Sequence, residues 1–97
     1  MTEGVRQSVE GGAVLHFAPH AKFRFDEVRQ AWIVLAPERL LLPDEQAVEI
    51  LQLMDGERSV DTIIDELARR YEAPRDVIAS DVVKMLQDLV DKKVLRR

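Results

Sequence analysis

Apolar residues recur at helical spacing along most of the chain, but one stretch, Phe23 to Leu42 (FRFDEVRQAWIVLAPERLLL), shortens the period to two. Phe23 and Phe25 alternate with Arg24 and Asp26, the run Glu27-Val28-Arg29-Gln30 interrupts them, and AWIVLA resumes the extended pattern. This predicts a hairpin. Pro37 falls where the first central residue of a tight turn sits, with φ already fixed, so Arg39 to Leu42 becomes a third short strand. Trp32 and Val34 point one way and Ile33 and Leu35 the other, while Leu40 and Leu42 oppose Arg39 and Leu41. A sheet with one wet face alternates polar and apolar, so this second face needs a cover. Three antiparallel strands also leave two edges of unpaired N–H and C=O groups. The pattern describes a docking surface.

Three helices follow. Pro43-Asp44-Glu45 opens the first, with Asp44 as N-cap, and its apolar positions from Ala47 to Met54 wrap more than half the wheel before Asp55-Gly56 ends it. Ser59 caps the second. There Val60, Ile63, Ile64, Leu67, Ala68 and Tyr71 form one stripe, and Asp61, Asp65, Glu66, Arg69 and Arg70 fill the other side. Pro74 stands at the first position of the third helix, which runs to about Lys92. Its apolar residues occupy about half the circumference, wider than the ~100° a surface helix needs. Either the sheet and the other helices consume that arc, or part of it is left to line a groove.

The opening residues Met1 to Gly12 carry no periodicity, and the predicted division is a flexible tail over 1–14 and a single domain over 15–97. Val14, Leu15 and Phe17 are read as lying across the sheet. Ninety-seven residues, 46% of them hydrophobic and 33% charged, match one soluble globular domain. There is no apolar run of ~20 residues to span a membrane and no basic, apolar signal at the N-terminus, so a cytoplasmic location is expected. The absence of cysteine removes disulfides, thiolate catalysis and cysteine-held metal sites.

Chemical signals are few. Ser8, Ser59 and Ser80 have no positioned base. The carboxylate neighbours Asp26-Glu27, Asp44-Glu45 and Asp65-Glu66 are adjacent in sequence, where strand or helix geometry points them apart. His16 and His20 lack a third ligand, and Pro19 between them opposes a helical arrangement, so they read as loop histidines and not as a metal site. No glycine-rich phosphate loop is present. The chain is therefore expected to be neither an enzyme nor a cofactor carrier. Two helices beside a small sheet suggest a winged-helix DNA binder, but the helix that would enter the groove carries Arg75 and Lys84 against Asp76, Asp81, Asp88 and Asp91, and the whole chain has a net charge of −4. Nucleic acid is not the expected partner.

The segments FRFDEVRQAWIVLAPERLLLPDEQAVEIL, LMDGERSVDTIIDELARRY and VIASDVVKMLQDLVDKKVL together resemble the PqqD family, the peptide-binding proteins of pyrroloquinoline quinone biosynthesis. The combination of FDEVR, a tryptophan shortly after it, LAPER and DGERSV carries the likeness over about Leu15 to Leu95. The resemblance implies an α+β, winged-helix-like peptide-recognition domain, a three-stranded antiparallel sheet followed by three helices. It implies capture of the precursor peptide PqqA by strand addition and its presentation to PqqE, a radical S-adenosylmethionine enzyme that holds its own cofactors. Under it the receiving edge is Arg39, Leu40, Leu41 and Leu42, and the groove wall comes from Asp81, Val82, Met85, Leu86 and Leu89. Asp26, Arg29 and Glu38 are candidate contacts for the enzyme, against the plainer reading of solvated turn residues. A different reading of the same open edge is self-association into a homodimer.

Overall fold

The computed structural model describes residues 8–97. Two small sheets flank three helices. The central sheet is an antiparallel meander of β2 (Lys22–Asp26), β3 (Ala31–Ala36) and β4 (Arg39–Leu41), in that spatial order. The helices α1 (Glu45–Gln52), α2 (Val60–Tyr71) and α3 (Arg75–Asp91) follow it. The α+β order of three antiparallel strands and then three helices is the expected one.

The hairpin joining β2 to β3 is held by Asp26. Its carboxylate accepts hydrogen bonds from the Val28 N–H (3.1 Å) and the Arg29 guanidinium (2.6 Å), and Gln30 takes a positive φ of 57° to bring the chain back to Ala31. Asp26 is only 7% exposed, so it braces the turn and is corrected from the surface contact expected of it. The β3–β4 turn has Pro37 in the first central position and Glu38 at φ 62° in the second, the type II combination. This closes a two-residue hairpin with Ala36 opposite Arg39.

The first sheet consists of β1 (His16–Phe17) and β5 (Leu95–Arg96), antiparallel, with Ala18 N–H donating to Val94 C=O beside it. The backbone of His16 and Phe17 thus pairs with the C-terminus, while side chains of the expected segment still meet the central sheet. The Phe17 ring stacks on Phe23 at 5.7 Å, and Leu15 is buried in the same core as Val34. Neither two-residue strand has a readable period, which hid the pairing from the sequence.

The helix ends follow the capping residues. Asp44 Oδ1 accepts from Ala47 N–H (2.8 Å) and Ser59 Oγ from Thr62 N–H (3.2 Å). Pro74 is the residue before α3 rather than its first, with ψ 135° and its carbonyl accepting from Val77 and Ile78. Gly56, at φ 83°, belongs to the link after α1, which has already ended at Gln52. In that link the Asp55 carboxylate accepts from the Glu57 and Arg58 N–H groups. Arg75 at the start of α3 is ion-paired to Asp61 (3.1 Å) and Asp65 (2.6 Å) of α2.

The core lies between the helices and one sheet face. Val34 is buried there, with Phe23 and Leu41 packed against it, beside Ile50 and Leu51 of α1, Ile63 and Leu67 of α2, and Val82 and Leu86 of α3. Part of the expected tail, residues 1–7, lies outside the described residues. The rest of it packs from Val9 on, which moves the start of the domain before residue 15. Val9 and Ala13 are buried; Val9 N–H donates to Gln87 Oε1, and the carbonyls of Gly11 and Ala13 accept from the first N–H groups of α2. A side chain at Gly11 would meet the Asp61 carboxylate, which would have to move aside. Single apolar residues spaced four apart in a polar stretch gave no period to read.

The Asp26 carboxyl is held below the usual carboxylate range, first by the Arg29 hydrogen bond and further by the backbone N–H of Val28. A carboxyl whose folded pKa is depressed adds stability that is complete above its unfolded value, about 4, and lost as pH falls through the folded one. Thermal melts from neutral pH down to about 3 are expected to show a shallower acid decline for Asp26→Asn than for the wild type, with the variant less stable at neutral pH.

Candidate functional site

The two edges of the central sheet differ in what lies beside them. In a two-residue hairpin the closing pair is hydrogen-bonded, so Ala36–Arg39 and Val34–Leu41 are bonded pairs and Leu35–Leu40 is the open pair between them. The N–H and C=O of Leu40 therefore point away from β3, along a free edge with no further strand. The Leu41 side chain turns the other way from that of Leu40, onto the core face shared with Val34. Leu40 and the residue after β4, Leu42, are 40% and 63% exposed.

Beside that edge a shallow cleft of about 220 Å³ runs between the end of β4 and α3. Leu41, Leu42, Ala47, Met85, Leu89 and Lys92 are among the residues that line it. A second cleft of about 360 Å³ shares Ala47, Met85 and Asp88 with the first and extends past Asp44 to Asp81 and Lys84. The small side chain of Ala47, on a helix otherwise faced with larger residues, leaves the room where the two meet. At under the ~300–1,000 Å³ of a small-molecule pocket, the apolar cleft has the size of a groove for side chains.

Most of the expected site residues come together here. Leu41, Leu42, Met85 and Leu89 line the apolar cleft, Asp81 lines the polar one, and Arg39 and Leu40 sit on the open edge. Val82 and Leu86 do not. Both are 0% exposed in the core, so the groove wall assigned to them is corrected: they face inward and hold α3 in place. The apolar arc of α3 is thus divided: Val82 and Leu86 lie wholly inside, Leu89 is buried in the core yet reaches the cleft wall, and the partly buried Met85 lines the cleft. Arg29 and Glu38 are exposed turn residues away from the cleft lining. Pro43, Ala47, Leu51 and Lys92 line the site and were missed; the signal available was that Pro43 to Ala47 directly follow the third strand.

No group of three or more metal-ligating side chains occurs among the described residues. No helix among them is long and apolar enough to cross a membrane. A strand edge beside an apolar groove offers main-chain hydrogen bonds and side-chain burial, which is how an extended peptide is held.

The model of the family described as "Coenzyme PQQ synthesis protein D (PqqD)" matches residues 31–95, which contain β3, β4, all three helices and hence the whole cleft. The chain belongs to the PqqD family. A PqqA binding protein of Rhodopseudomonas palustris (strain BisB5) is 66% identical over 76 residues, 78% of this chain and 74% of that one. The PqqA binding protein of Gluconobacter oxydans (strain 621H) is 46% identical over 95 residues, 98% of each chain. The solution structure of the PqqD truncation of Methylobacterium extorquens PqqCD, described as a stand-alone recognition element for ribosomally synthesized and post-translationally modified peptides, superposes with a TM-score of 0.77 at 38% identity. The match covers 93% of this chain and 96% of that one.

The division of the α3 arc can be measured by truncation. Leu86→Ala, in the core, is expected to cost ~2–5 kcal/mol in denaturant unfolding. Met85→Ala, at the cleft, is expected to cost roughly 1 kcal/mol.

Proposed function

We propose that this PqqD family member is a non-catalytic recognition element that takes up the precursor peptide PqqA as a strand added to β4 and presents it to the cross-linking enzyme PqqE. The observation that carries the reading is the outward-facing amide of Leu40 next to the apolar cleft under Met85 and Leu89. Relatives described as PqqA binding proteins, and a solved neighbour described as a peptide-recognition element, support the identity of the guest. Main-chain pairing at Leu40 supplies affinity without regard to sequence, and alternate guest side chains entering the cleft supply selection. Each aliphatic side chain buried there contributes ~1.5–3 kcal/mol before the guest's ordering cost, so a few anchors give moderate affinity.

Titrating PqqA into isotope-labelled protein is expected to shift the amides of Leu40 to Leu42 together with those of Met85 to Leu89. Shifts confined to residues 8–14, or none at all, overturn the reading. Leu42→Asp places a charge on an exposed apolar position, so folding stability should change by less than about 0.5 kcal/mol while peptide affinity falls about ten-fold or more.

A second reading has its own observation. β2 is the other free edge of the sheet, and on the same face lie Phe23 and Trp32, stacked at 4.8 Å, with the half-exposed Phe25 edge-on to Trp32 at 5.8 Å. Self-association through this aromatic edge would make the homodimer a companion of peptide binding rather than its competitor. Sedimentation across a concentration series tests it: loss of a dimer on Phe25→Asp supports the edge, and a single monomeric species at all concentrations removes it.

A further inference from the structure

We propose that the guest peptide meets the β4 edge through a run of three consecutive apolar residues, and not through the alternation of apolar and polar residues that an edge strand with one wet face calls for. The inference rests on the peptide-binding reading and adds the sequence class of the guest. A strand laid beside β4 sends successive side chains to opposite faces of the sheet, whichever way it runs. On the inner face its neighbour is Leu41, which is paired with Val34 and lines the apolar cleft with Met85 and Leu89. Were the outer face built for water, the next side chain along the edge would be polar. It is Leu40, 40% exposed.

Leu40 does not stand alone on that face. It is directly opposite Leu35 in the open pair, where facing side chains come closest, so the two make one apolar patch across β3 and β4. The first charged side chain in the same row is the exposed Lys22, on the far strand opposite Leu35. Leu42 follows β4 at the cleft, more exposed than either of the leucines before it. Leu40, Leu41 and Leu42 thus line the edge in succession, and none of them offers a polar atom to a guest side chain. The row is bounded at both ends. Arg39 before it is exposed and charged, and Pro43 after it has no N–H to give to a guest strand. The three guest positions differ in weight. The residue beside Leu41 enters the cleft, whereas the residue beside Leu40 gains a cross-strand apolar pair on a face that water still reaches.

A serine scan of the guest tests this. PqqA peptides in which each residue of the segment whose amides shift on binding is replaced in turn by serine are titrated against the wild-type protein. Affinity is expected to fall at three consecutive positions, about ten-fold or more at the middle one and about two- to five-fold at its neighbours. A second arm uses Leu40→Glu, a change at an exposed position whose folding is checked by thermal melt, with leucine or lysine at the guest position beside residue 40. The wild type should favour leucine there and Leu40→Glu should favour lysine, with no such reversal at the other two positions. Losses at alternate positions, at a single position or at none overturn the proposal while leaving strand addition intact. A leucine preference that Leu40→Glu leaves unchanged also overturns it. Failure of unaltered PqqA to bind the wild type overturns the peptide-binding reading itself and this inference with it.

Discussion

The packing of the middle of α3 into the core is the constraint on which the rest of the structure depends. Val82 and Leu86, fully buried, lock one face of the helix against Ile63 and Leu67 of α2, Ile50 and Leu51 of α1, and the inner face of the sheet. Interiors are close-packed, so a helix held this way cannot slide or rotate by a residue without opening cavities. That fixes where its margin falls. Met85 and Leu89 come to stand opposite the end of β4, at a separation that leaves a groove. Arg75, paired to two carboxylates of α2, and the αL turn at Lys93 that carries the chain into β5 hold the two ends of the same helix.

The open edge is compatible with a stable monomer because it is short. β4 has three residues, and among them only Leu40 directs both main-chain groups outward. Pro37 and the charged Glu38 and Arg39 precede it, and Pro43 and the capping Asp44 follow, so little exposed edge is available to an unselected strand.

The meander, the turn at Pro37, the three helices and their caps at Asp44 and Ser59 were legible because each depends on residues within a few positions of one another. The two-faced character of β4 was legible too, since leucines on both faces of a short strand leave a surface to be covered. What could not be read lies in longer connections. The strap from Val9 to Ala13, fastened to Gln87 and to the start of α2, and the pairing of His16–Phe17 with Leu95–Arg96 join residues some 80 positions apart through segments too short to show a period. Asp26 looked like surface because nothing in the sequence says that Arg29 folds back onto it.

The sequence by itself determined which residues are apolar and at what spacing, and hence the elements, their order and the width of the α3 arc. Only the tertiary structure decided how that arc is shared, with Val82 and Leu86 inside, Met85 at the groove and Leu89 buried between the two. The reason is geometric: periodicity fixes the face a residue occupies on its own helix, whereas burial depends on the distance and angle at which other elements approach that face, and no local pattern encodes them.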